Sequence, residues 1–281
     1  MTQEILLPLD GTRAAETALS WAQAAAFASS AHVQLMTVIP EAEQNGQERK
    51  SQAYLQHHER ILRSAGVSVS SCVVQGDAGD KILQQALECD LTVMTSGTVR
   101  WLISAVLDRV LQDMTRPLVV VRAHTEITPE EAPKSILVPV DSSSYSSDVL
   151  PAVRDLAKSV GASITLCHVI PPIGKYVTTA SAPPGIARIM GEMIEESREL
   201  TSDAATQLYE HGIMVKTITV FGEPATAIVH EAETCGVDLI AMATRGRDRL
   251  HKRVEGSVAQ RVIETTRIPC LLVRPASINT N

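Results

Sequence analysis

The chain has 281 residues, with 25 Lys and Arg against 32 Asp and Glu for a net charge of −7. That length is comfortable for two domains, and the acidic balance argues against nucleic acid or an anionic membrane as the main partner. The five cysteines form an odd, scattered set without a CxxC pair, no apolar run approaches spanning length, and the N-terminus lacks the regions of a signal peptide. A cytoplasmic protein with buried, reduced thiols is expected.

Residues 5–10 (ILLPLD) read as a short buried strand ending at Asp10, after which Gly11 and Thr12 open a helical pattern through Ala18, Trp21, Ala25 and Ala28. A second strand over 33–39 is stopped by Pro40. A polar helix from about 44 to 63 is closed by Gly66, and a third strand over 67–74 ends at Gly76. A helix near 78–87 leads to a fourth strand over 91–94, and a helix near 103–111 precedes a fifth strand over 117–121. Continuous apolar strands alternating with helices predict a parallel sheet covered on both faces. Residues 124–134, polar and acidic with Pro129 and Pro133, read as a linker.

The pattern then repeats. SILVPVDSSS at 135–144 matches EILLPLDGTR at 4–13, with Pro139 on Pro8 and Asp141 on Asp10, and the same offset of 131 places HVIP (168–171) on TVIP (37–40). FGEPATAIVHEA (221–232) follows QGDAGDKILQQA (75–86), DLIAMAT (238–244) follows DLTVMTS (90–96), and RIPCLLVRP (267–275) follows TRPLVVVRA (115–123). Two copies of one domain in tandem are expected: 1–123, the linker 124–134, and 135–276. The copies differ in two places. Four fewer residues separate Met94 from Pro117 than Met242 from Pro269, which shortens the loop after the fourth strand. The second copy also carries PPIGKYVTTASAPPG (171–185), a lid or a mobile connection, before a helix over about 186–210.

The loop of the second copy carries the chemistry. Residues 241–260 (AMATRGRDRLHKRVEGSVAQ) leave an apolar run at Met242 and pass Gly246, Arg247, Arg249, Lys252 and Arg253. They reach Gly256-Ser257 before a helical pattern with Val258 and Ile263. Such a basic loop between strand and helix can cradle phosphate on backbone N–H groups. The same residues also suit a turn at Gly246 and a capping box with Ser257 as N-cap and Gln260 at N3. The two readings are compatible, because a capped helix start still carries free amides.

With these residues the chain resembles the universal stress protein family over both halves. The family's nucleotide-binding branch carries Gly, two residues, Gly, nine residues, then Gly followed by Ser or Thr. Ala243, Gly246, Gly256 and Ser257 stand at those places. Ala243 is the departure; it requires negative φ and adds a methyl near the ligand. The resemblance implies two tandem doubly wound α/β domains, each a five-stranded parallel sheet of order 3-2-1-4-5 flanked by helices. The loops after strands one and four would then meet at the topological switch point. It implies ATP as the ligand, with or without Mg held through the phosphates. Asp141 would lie near the ribose or phosphates, Pro139 and Val169 would flank the adenine, and Met242 would precede the loop. Arg247 would belong to its basic part, and Val258 would add an amide.

The first copy departs further. In TSGTVRWLISAVLDR (95–109) Ser104-Ala105 replaces Gly-Ser and Trp101 sits in the shortened loop, so a degenerate, structural partner is expected although Pro8, Asp10 and Val38 persist. His57-His58 reads as surface, His168 as a packed or edge histidine and His251 as solvated. Glu223-Pro224 reads as a helix start with Pro at N1. With no Walker lysine and no evident base, an enzyme is not expected. The apolar last strands pair antiparallel across a dimer in the family. Here the resemblance implies an internal pseudo-dimer, with a homodimer of whole chains left open. The function implied is a nucleotide-dependent stress-response regulator with a protein partner of unknown identity; the alternatives are an interaction scaffold without nucleotide and a slow ATP hydrolase.

Overall fold

A computed structural model gives the fold and describes residues 3–41, 46–96, 104–123, 131–141, 148–172, 184–244 and 258–274. The first half runs β1 (Glu4–Pro8), α1 (Arg13–Ser29), β2 (His32–Ile39), α2 (Gln47–Ser64), β3 (Ser68–Gln75), α3 (Ala78–Ala86), β4 (Leu91–Thr95), α4 (Ala105–Asp113) and β5 (Leu118–Val121). The second runs β6 (Ser135–Val140), α5 (Leu150–Val160), β7 (Ser163–Ile170), α6 (Pro184–Tyr209), β8 (Val215–Phe221), α7 (Pro224–Cys235), β9 (Leu239–Ala243), α8 (Val258–Thr265) and β10 (Cys270–Val273).

Each half has the expected order 3-2-1-4-5, and the two sheets are continuous as β3-β2-β1-β4-β5-β10-β9-β6-β7-β8. Neighbours within a half are parallel. At the seam β5 and β10 run antiparallel, with Val120 opposite Cys270, Val119 opposite Leu271 and Leu118 opposite Leu272. Both seam strands, LVVV and CLLV, are buried at every position. Left open, such an apolar edge would template aggregation, and each half covers the other's.

Side chains alternate across a sheet, so the seam feeds both core layers. Val119, Val121, Leu271 and Val273 join the layer under α1, α2, α5 and α6. Leu118, Val120, Cys270 and Leu272 join the layer under α3, α4, α7 and α8. Each layer therefore spans both halves, and α1 packs on α5 across the seam.

Helix entries follow local hydrogen bonds and move some boundaries from where the sequence pattern puts them. Thr12 caps α1 by accepting from Ala15 N at 3.2 Å. Ser104, extended at φ −62 and ψ 149, accepts from Leu107 N at 3.1 Å, so α4 begins at Ala105 rather than near 103. Glu223 caps α7, and Pro224 takes the first turn as expected. Residues 173–183 of the expected lid or connection, and 124–130 of the expected linker, lie outside the described residues.

The cysteines are free; Cys89, Cys167 and Cys270 are buried, Cys72 is partly covered and Cys235 is exposed. Burial pushes the Cys167 and Cys270 thiols up to about 12 and the Cys89 thiol to about 11, which makes all three poor nucleophiles. The surface reading of the His57-His58 pair needs correction. His57 is exposed, but His58 is only 8% exposed and sits on the inner face of α2 with Leu55 and Leu62. Its ring meets Tyr54 edge-on at 4.6 Å, and its Nε2 lies 3.6 Å from Glu16 Oε1.

Candidate functional site

The candidate site grows out of a proline. In a parallel ladder the N–H and C=O of one residue face the same neighbouring strand, and the next residue faces the other. Asp238 N donates to Ser135 O and Ser163 N to Lys134 O, so Ser135, Leu137 and Pro139 face β9. The β6–β9 ladder holds Ile136 against Leu239 and Leu137 against Ile240. The next bond in that register would need an N–H on Pro139, reaching the Ala241 carbonyl, and proline has none. The ladder ends there. Meanwhile β6 stays paired with β7 as far as Val140–His168, and β9 with β10 as far as Val273–Ala243. The two central strands are thus tied outward and untied from each other at their carboxyl ends.

The first half repeats the device. Asp90 N donates to Glu4 O, which sets Glu4, Leu6 and Pro8 toward β4. The β1–β4 ladder holds only Ile5–Leu91 and Leu6–Thr92 before Pro8 interrupts it. A proline in a central strand would ordinarily argue against the strand; here it stands where the ladder stops, at the switch point of an open α/β sheet, where such folds hold ligands.

Counting along the registers from Val140–His168 and Leu137–Ile240 puts exposed Asp141 level with Val169 on one side and Thr244 on the other. Pro139, Val169 and Ala243 are partly covered. Met242 is only 4% exposed and packs in the core layer under α7 and α8. Ile240 N donates to Pro269 O and Thr244 N to Val273 O, so the Met242 backbone between them faces β10, and its part is to lead the chain toward the loop. Val258 opens α8 with its side chain 38% exposed. Gly246, Arg247, Gly256 and Ser257 lie outside the described residues, as does His251. The structure therefore brings Pro139, Asp141, Val169 and Ala243 to one end of the sheet.

Two residues add detail that the sequence reading missed. Burial lowers the pKa of His168, and Asp141 and Glu196 pull it back up; its Nδ1 is buried with no hydrogen-bond partner among the described residues. In the first half Asp10 Oδ1 accepts from Thr12 N at 2.9 Å and from Thr12 Oγ1 at 2.6 Å. Asp10 thus holds the residue that caps α1. The Pro8 and Pro139 match was visible in the sequence; the ladder-ending role follows only from which neighbour each faces.

A separate concavity of about 520 Å³ lies at the opposite, amino end of the first half's strands, lined by Gln3, Asp90, Arg116 and, across the seam, Asp155 and Ser159. None of the expected site residues lines it. Among the described residues no group of His, Cys, Asp and Glu could hold a metal ion, and no helix is long and apolar enough to cross a membrane.

The fold and its two proline-ended crevices define a class of protein, a tandem pair of doubly wound α/β domains joined edge to edge. The model of the universal stress protein family matches residues 1–122 and again residues 133–274, and the chain belongs to that family. It is similar to universal stress protein YxiE of Bacillus subtilis, 32% identical over 148 residues, half of this chain and 97% of that protein. It is also similar to universal stress protein MJ0531 of Methanocaldococcus jannaschii, 30% identical over 142 residues, half of this chain and 82% of that one. Over its whole length the fold resembles the crystal structure of a universal stress protein from Archaeoglobus fulgidus, at a TM-score of 0.74 and 19% identity. That match covers 96% of this chain and 98% of the other.

Proposed function

We propose that the second half binds ATP at the crevice between β6 and β9, and that its occupancy regulates a protein partner in the cytoplasmic stress response. The observation that carries the reading is the ladder that ends at Pro139. It leaves the carboxyl ends of the two central strands untied, with Asp141, Val169 and Ala243 around the opening. The sequence supplies what such an opening needs for a phosphate chain: Ala243, Gly246, Gly256 and Ser257 in the family's nucleotide spacing, Arg247 in the loop, and a helix that begins at Val258. Pro139 and Val169 suit the adenine, the backbone of Met242 leads into the loop, and Asp141 suits the ribose or a Mg ion carried by the phosphates. The role is binding rather than turnover.

The test is direct. Acid extraction of the purified chain should release an adenine nucleotide. ATP titrated against wild type should bind, and Gly256→Glu should weaken it more than about 100-fold, since a carboxylate set against phosphate costs several kcal/mol. Negligible binding by wild type and variant alike overturns the reading.

A further inference from the structure

Beyond their seam strands, the halves grip each other's last helices. Arg122 follows β5, and its Nη1 donates to Glu264 O at 3.2 Å and Thr266 O at 2.7 Å, at the carboxyl end of α8. Arg274 follows β10 and returns the contact, its Nη1 donating to Gln112 O at 2.7 Å near the carboxyl end of α4. Both arginines are partly covered. A guanidinium at a helix carboxyl end satisfies carbonyls that the helix leaves open and meets the negative end of its dipole.

The two contacts are alike in place and unlike in consequence. Helix α8 has 8 residues among those described, a short helix whose position rests on tertiary anchors. Ala259, Val262 and Ile263 bury its inner face, and Arg261 meets Glu223 at 2.6 Å. Arg122 supplies the anchor at its far end, and it comes from the other half. The near end, at Val258, is the one the nucleotide reading directs at phosphate. Helix α4 is held in the same way by Arg274, but its entry is occupied by the Ser104 cap.

We propose that Arg122 is a positioning residue for the nucleotide site of the opposite half: by gripping the carboxyl end of α8, the first half sets where the helix's amino end meets the phosphates. This rests on the ATP reading above. The half that lacks the glycines thereby keeps a part in binding, and because coupling is reciprocal, bound nucleotide must also tighten the Arg122 contact.

The pseudo-symmetry provides the control. In the full chain, Arg122→Ala should weaken ATP binding about fivefold, in the range by which remote packing changes modulate coupled sites. It should also speed amide exchange over residues 258–266. Arg122→Lys, which keeps a cation for the carbonyls, should recover most of both. Arg274→Ala should speed exchange over 105–114 and leave ATP affinity within about twofold of wild type. Equal affinity for the Arg122→Ala and Arg274→Ala proteins, whether both are tight or both are weakened, overturns the positioning role. Unchanged exchange over 258–266 in Arg122→Ala overturns the grip itself. If wild type binds no ATP, the nucleotide reading falls and the positioning role with it, while the exchange data still report on the grip.

Discussion

The two halves share a strand order, a ladder-ending proline and an ion pair tying the last helix to the one before it, Arg109 with Asp80 and Arg261 with Glu223. They part company at the entry to the last helix, and the first half also shows how its strand-one aspartate is bonded. After the first strand, Asp10 is held by Thr12, the residue that caps α1. After the fourth, Ser104 turns its hydroxyl inward to the Leu107 amide. In the repeat register set by Arg109 and Arg261, Ser104 stands where the second half has Gly256. The hydroxyl and the Cβ at that place serve the helix, not an open cradle. A duplicated domain can thus keep its framework while the residue at the entry to its last helix is given to an internal bond, because that residue contributes little to the core.

That comparison presumes halves that stand or fall together, and the seam offers the largest effect. Leu272→Asp buries a charge opposite Leu118 and should cost about 4 kcal/mol. Urea denaturation should show both halves losing stability, because each core layer crosses the seam. A first half that unfolds at its original midpoint would break the picture. Thr217→Asp on the exposed outer strand β8 should stay within about 0.5 kcal/mol.

The next effect separates the two aspartates. Asp141→Ala should weaken ATP about tenfold, the scale of a lost charged hydrogen bond. Asp10→Ala should leave ATP binding intact and instead loosen the start of α1, costing about 1 kcal/mol. Calorimetric titration should give one nucleotide per chain, and a second equivalent would mean that the first crevice still works. Smaller again is the Ser104 cap. Ser104→Ala should cost about 1 kcal/mol and Ser104→Gly only a few tenths, a Tm shift of about 3 °C for the first and near none for the second. Neither should create binding.

Much of this was legible in the residues. Continuous apolar strands predicted the parallel sheet, because burial on both faces leaves little freedom of pattern, and the matched PLD and PVD segments predicted the tandem arrangement. The strand order came with the resemblance to the family. Pro139 was legible as a match but not as the end of a ladder; that role depends on strand parity, set by the bond from Asp238 N to Ser135 O. Ser104 was legible as a missing glycine but not as a cap, since the serine that caps a helix and the serine that merely replaces a glycine have the same letter. His58 was misjudged as one of an exposed pair, although Leu55, His58 and Leu62 fall at the three- and four-residue spacing of a helix's inner face. Arg122 lies 142 residues from one of its partners, a contact no local pattern announces.

The histidines allow the finest comparison, since each half holds one whose pKa burial lowers: His58 against Glu16 and Tyr54, and His168 near Asp141 and Glu196. A histidine with a lowered folded pKa is protonated first in the unfolded chain, so its contribution to stability is complete above the ordinary value of 6.5 and is lost as pH falls below it. Stability should therefore decline between pH 7 and 5. Replacing His58 by Gln should flatten the part of that slope that belongs to the first half, and His168→Gln the part that belongs to the second. ATP should distinguish them: bound near Asp141, it should change the slope carried by His168 and leave that of His58 alone. Equal changes in both would place the ligand, or its influence, on both sides of the seam.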